Sequence, residues 1–374
     1  MTRFGWSAAA TRQSVWFGSC ARNSTSNGIY HCWFDAVKGV LSEPTLAAPT
    51  EQPSFLCTMR DERKRLILYS VNEIARREGA VASFVVDEVA GTLMPLNCIG
   101  IKNVGPTYIS ARPSTRTLYT ANYTGSSLSV LRADPDGQIA EVLQSFDTKD
   151  PRFGTPGIHT DQGVSHPHSV TLSPDKRFVL VNDLGDDSID IFAVQKDGRL
   201  SETPLLVKVP AGSGPRHLAF HPNGRWVYGL NELGCALRQY AWVERNSGAE
   251  LRYLDRSISA VDPTQQPPAG TRVSAAEVEV SSDGRFLYAS ARGVNAITVF
   301  TIGRHDGALT FKQSVSSGGK APRHFKLDPT AEWLICCNNN SSDMTLLRRN
   351  KTDGTLTEPL QTVKVDGGEF ALFT

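Results

Sequence analysis

Residues Gly212 to Gly234 read GSGPRHLAFHPNGRWVYGLNELG. A Gly/Pro turn leads into the alternating apolar residues Leu218 and Phe220 and a polar reversal at His221-Pro222-Asn223-Gly224. A second apolar run, Trp226 to Leu230, then ends on Asn231-Glu232. Apolar alternation on both sides of a Pro/Asn/Gly turn predicts a β-hairpin, here with charged residues at its open end. The phrase recurs along the chain, so it is a repeat unit.

Aligned copies begin at Pro53, Pro106, Pro167, Pro215, Ala276 and Pro322, at intervals of 53, 61, 48, 61 and 46 residues. An average of about 54 divides the 374-residue chain into about seven units. Most copies are followed by a further strand, such as Ser188 to Val194 or Ala296 to Ile302. An Asp-Gly turn comes next (Asp136-Gly137, Asp197-Gly198, Asp306-Gly307, Asp353-Gly354), and then a weaker outer segment. Four short antiparallel strands per unit, without helical periodicity, predict an all-β fold: a seven-bladed β-propeller of four-stranded antiparallel blades. The C-terminal stretch Gly367 to Phe373 matches only the first half of the phrase, and Val15 to Cys20 only the second half. One blade is therefore expected to be split between the termini, whose pairing closes the ring and removes exposed sheet edges. Residues 1–12 are expected to be a flexible lead and 13–374 a single propeller domain.

Thirty-nine Lys and Arg against 38 Asp and Glu argue against a general nucleic-acid or membrane-surface binder. Seven Cys, an odd number without a C-x-x-C pair, argue against a disulfide framework or structural zinc site and fit reduced thiols in the cytoplasm. No run approaches the length of a membrane span, and the N-terminal apolar stretch is shorter than a secretory core.

In an antiparallel hairpin the start of the first strand and the end of the second lie together. One rim therefore receives His168, Arg216, His217, Arg323 and His324 from strand starts, with Asn122, Asp183, Glu232 and Arg292 from strand ends. The opposite rim receives the tight reversals, which makes Arg177, Arg225 and Arg285 turn-capping residues. Strand alternation sends His217 and His324, which follow arginines, to the other face and into core packing. The long stretch Thr148 to Val164 leads to His166 and is read as a loop over the mouth. Arg216, Arg292 and Arg323 converge from different blades, which points to a small anionic ligand. The competing reading pairs them with Glu232, Asp183 or Glu73 as structural ion pairs.

Pro167-His168-Ser169, Gly214-Pro215-Arg216-His217 with Asn231-Glu232, and Ser290-Ala291-Arg292 resemble the seven-bladed propeller lactonases. That family comprises bacterial 6-phosphogluconolactonases and fungal carboxy-cis,cis-muconate cyclising enzymes. The resemblance covers almost the whole chain. It implies a catalytic set of His168, Arg216, Glu232 and Arg292, and neither metal nor organic cofactor. Arg323, Asp183, His166 and Asn122 are expected to contact a phosphorylated or carboxylated lactone. In hydrolysis, His168 or Glu232 acts as general base on water while Arg216 and Arg292 hold the substrate anion and the developing oxyanion. In cyclisation, a substrate carboxylate attacks a carbon–carbon double bond and the same group delivers a proton. A non-catalytic binding or scaffold role is the third reading, since propellers host many functions.

Overall fold

Consecutive apolar residues in the second strand of a repeat, such as Leu66-Ile67-Leu68-Tyr69, leave neither face of the sheet suited to water, so each sheet has to be covered on both sides. The computed structural model, which describes residues 12–20, 28–245 and 248–374, meets this demand with a ring of seven antiparallel sheets. Six have four strands in chain order. The blade carrying the organising phrase runs through Pro215–Phe220, Trp226–Asn231, Ala236–Arg245 and Gly248–Ser259. No α-helix occurs among the described residues.

The core is divided among the blade interfaces. Val227 packs with Leu180 of the preceding blade, while Tyr228 and Leu230 on the opposite face pack with Leu287 of the following one. The recurring Asp-Gly turns have a role in this stacking. The hydroxyls of buried Tyr69, Tyr119, Tyr228 and Tyr288 donate to the carbonyls of Gly137, Gly198, Gly307 and Gly354, each in the next blade, at 2.8–3.0 Å. At Gly198 the backbone is left-handed (φ +90°), and a Cβ would stand 2.0 Å from Thr117 Oγ1, so only glycine fits.

The seventh blade is split as expected. The C-terminal strand Gly368–Phe373 pairs antiparallel with Arg12–Ser19, for example Trp16 with Leu372 and Phe17 with Ala371. Arg12–Ser19 pairs in turn with Gly28–Asp35, whose outer partner is in two pieces, Val40–Leu41 and Thr45–Pro49. Trp16 is fully buried, and its Nε1 donates to Thr374 Oγ1 at 2.9 Å, tying the ends together. Trp16→Ala is expected to cost about 3–5 kcal/mol. Urea unfolding measures this, and a loss below about 1 kcal/mol would mean that the closing strand adds little to stability.

On the rim of tight reversals, Arg177 pairs with Asp175, Arg285 pairs with Asp283 at 3.0 Å and the Arg225 guanidinium lies 5.8 Å from the Trp226 ring centre. These three arginines belong to the turns.

Candidate active site

The site is built by a repeated irregularity in the innermost strands. Pro215 pairs with Asn231 and His217 with Leu230, which leaves Arg216 without a ladder partner. The same slip leaves Thr107, His168, Arg323 and Glu369 unpaired in their own blades. A bulge of this kind bends the strand and re-aims side chains, so two consecutive residues turn toward the axis. This corrects the expectation for His217 and His324: strict alternation would send them into a blade interface, but both lie in the channel beneath the arginines.

Phe55, Tyr108, His217, Glu277, His324 and Phe370, each from a different blade, plug the axis. The Phe55 ring centre lies 3.9 Å from that of Tyr108 and 4.0 Å from that of Phe370. Within this plug the tautomers follow from the partners. The Ala371 N–H donates to His324 Nδ1 at 3.4 Å, so His324 Nε2 carries the hydrogen and faces Glu277 at 3.4 Å. Arg216 Nη1 lies 3.2 Å from His217 Nε2, and because arginine only donates, the His217 hydrogen sits on Nδ1, 3.1 Å from both Glu277 carboxylate oxygens. Burial pushes both imidazoles below their ordinary range and keeps them neutral.

Above the plug, Glu232 organises the floor of the mouth. Its Oε2 accepts from Arg216 Nε at 3.0 Å and its Oε1 lies 2.8 Å from Arg292 Nη2. Burial alone would raise this carboxyl, but Arg292, Arg216 and Arg323 outweigh it and bring it down to about 2, so Glu232 is ionised. His168 Nε2 stands 4.0 Å from Glu232 Oε2, a gap that one water can bridge. Burial first, then Arg216, His217 and Arg323, hold the imidazole well below its ordinary range, so His168 is neutral near pH 7. Arg323 pairs with Glu369 of the C-terminal strand. Arg216 is only 2 % exposed and also donates to the Ala276 carbonyl; it supports the floor from below.

The three arginines therefore meet two carboxylates, Glu232 and Glu369, at this level. Structural pairing and an excess of positive charge coexist here, and the Arg292 Nε is buried without a partner among the described residues. Over the floor opens a cavity of about 800 Å³. His168, Glu232, Arg292 and Arg323 line its base, and Asp161, Arg272 and Lys320 stand among its rim residues.

Three residues expected at the mouth are engaged elsewhere. Asn122 is fully buried, with its amide donating to Ser127 and Ser129 at 3.1 and 3.0 Å. Asp183, also fully buried, accepts from the backbone N–H of His166, Gly185 and Asp186 and shapes their turn. His166 donates from Nδ1 to the Tyr123 carbonyl at 2.9 Å and stacks on the Tyr123 ring at 4.4 Å. Tyr123 in turn meets His168 edge-on at 5.5 Å, so His166 reaches the site through Tyr123. The loop 148–164 does reach the mouth, because Asp161 lines the cavity and pairs there with Arg272.

Glu369 and Glu277 were not among the expected site residues. Both follow the repeat: Glu369 occupies in Gly367-Gly368-Glu369 the place of Arg216 in Gly214-Pro215-Arg216. Ala275 takes the place of Pro215, because Ala275 pairs with Ala291 and Val278 with Ala289, which puts Glu277 level with His217.

The profile of a family described as "Lactonase, 7-bladed beta-propeller" matches residues 14–373. The chain is 33% identical to a 6-phosphogluconolactonase of Bacillus subtilis over 91% of its length and 92% of that protein's. It is 32% identical to a 6-phosphogluconolactonase of Formosa agariphila, over 80% and 83% of the two chains. Among solved structures, a periplasmic gluconolactonase of Pseudomonas aeruginosa superposes with a TM-score of 0.85 at 28% identity, covering 97% of this chain and 99% of the other.

Proposed function

The chain belongs to the seven-bladed β-propeller lactonases, and we propose that it hydrolyses a phosphorylated sugar lactone, 6-phosphoglucono-δ-lactone, using His168 as general base. The observation that carries this reading is the neutral imidazole 4.0 Å from an ionised, doubly arginine-paired carboxylate at the base of a large polar cavity. The substrate is taken from the names of the relatives. Glu232, ionised and held by Arg216 and Arg292, is a weak base, and in this scheme it orients the water.

A water between His168 Nε2 and Glu232 Oε2 attacks the lactone carbonyl carbon as His168 takes its proton. The new oxyanion is held by Arg292 and Arg323 at the cavity base, and Glu232 steadies the imidazolium. Collapse breaks the bond from the carbonyl carbon to the ring oxygen, and His168 returns the proton to that oxygen as it leaves. The products are the open hydroxyl and a carboxylic acid, which ionises in solvent. Arg216 is a positioning residue in this scheme. A cytoplasmic setting is part of the same reading, resting on an odd number of cysteines, seven, without a C-x-x-C pair.

The pH dependence tests the choice of base. Only neutral His168 is active, and its pKa is lowered, so activity is retained as pH falls through the ordinary imidazole range and lost only below it. The acid limb of kcat/KM, corrected for spontaneous hydrolysis, is expected well below pH 6.5. An acid limb at or above pH 6.5 would assign the base to a group other than this imidazole.

A further inference from the structure

The cations lining the cavity differ in what they are bound to. Arg292 is paired with Glu232, Arg323 with Glu369 and Arg272 with Asp161. Lys320 stands on the rim, exposed, with no carboxylate partner for its ammonium among the described residues. Its backbone is fixed: the Lys320 N–H donates to Ser341 Oγ at 2.8 Å, and the Lys320 carbonyl accepts from Asn340 N–H at 3.1 Å. The same turn brings two cavity-lining amides beside it. Asn295 Oδ1 is taken by the Ala321 N–H at 2.9 Å, which leaves its NH₂ group as a donor, and the Asn340 side chain has no hydrogen-bond partner among the described residues.

We propose that Lys320, with the amides of Asn295 and Asn340, forms a phosphate-monoester subsite that makes this cavity prefer a phosphorylated lactone over its unphosphorylated counterpart. The inference rests on the lactonase reading and adds the group that recognises the substrate's far end. An ammonium with amide donors beside it suits a phosphate dianion. Of the other lining carboxylates, Asp161, Glu232 and Glu369 are already paired with arginines, and Glu73, which would repel a dianion, lies two blades along the ring. The chain runs from Lys320 on the rim to Arg323 at the base in three residues, a span of at most about 10 Å. The five bonds from the carbonyl carbon of a δ-lactone to its terminal phosphorus fit within that span.

The test compares wild type with Lys320→Met and Lys320→Arg on 6-phosphoglucono-δ-lactone and glucono-δ-lactone. It also measures calorimetric binding of the stable products 6-phosphogluconate and gluconate. The preference for the phosphorylated compound, in kcat/KM and in Kd, is expected to fall about 10- to 100-fold in Lys320→Met and to be largely restored in Lys320→Arg. A preference unchanged within about twofold in Lys320→Met would overturn the subsite. If wild type turned over neither lactone but bound 6-phosphogluconate in a Lys320-dependent way, the subsite would stand and the hydrolytic reading would fail.

Discussion

His168→Gln is expected to lower kcat/KM for lactone hydrolysis by about 10²- to 10⁴-fold, the usual contribution of a positioned general base. Glutamine approximates the size of imidazole and can still hydrogen-bond a water beside Glu232, but it cannot take the proton. His168 packs edge-on to Tyr123 and His217 at 5.5 and 5.3 Å and carries no structural ion pair closer than its 4.0 Å approach to Glu232. The variant should therefore fold, and circular dichroism and the unfolding midpoint check that it does. Steady-state kinetics then isolate the chemistry. A loss below tenfold in a folded variant would move proton transfer to another group.

Arg216→Met is expected to cost about 3 kcal/mol of stability, the lower end of the range for breaking a buried ion pair, and to abolish measurable turnover. Arg216 is the most buried of the three site arginines. It holds Glu232 from below and lies against His217, which is bound to Glu277. Its removal takes one of two cations from the buried Glu232 and leaves His217 Nε2 without its donor. Glu232 keeps Arg292 at 2.8 Å, which places the cost at the lower end. Arg216→Lys should recover part of the stability but little of the activity, since one ammonium cannot serve Glu232, the Ala276 carbonyl and His217 together. Urea unfolding alongside kinetics measures both effects. Wild-type turnover in Arg216→Met would show that the floor does not depend on this residue.

The parts of the fold set by local patterns could be read from the chain. Hairpin turns, the repeat interval and the two half-phrases at the termini led to the ring and its split blade. The pairing of Trp16 with Leu372 realises that closure. The base of the cavity was also legible, because His168 and Arg323 occupy equivalent strand starts, and Glu232 and Arg292 equivalent strand ends, in the repeat. Alternation failed where the ladder slips: the bulge at Arg216 turns His217 inward as well, and a period-two pattern carries no sign of an unpaired residue. Asn122 and Asp183 lie at the expected rim positions, but their side chains are short and turn back to satisfy their own loops. Glu277 was obscured by a one-residue misalignment of the fifth copy, which lacks the proline that marks the others. Glu369 lay in a half-repeat read only for closure.

The most direct test of the central claim is the initial rate of 6-phosphoglucono-δ-lactone hydrolysis by the purified protein near neutral pH, followed by ³¹P NMR against an enzyme-free control and a parallel incubation with carboxymuconate. Hydrolysis proportional to enzyme concentration and well above the spontaneous rate, with carboxymuconate left unchanged, is the predicted result. A lactone decay no faster than the control, or cyclisation of carboxymuconate in its place, would contradict it.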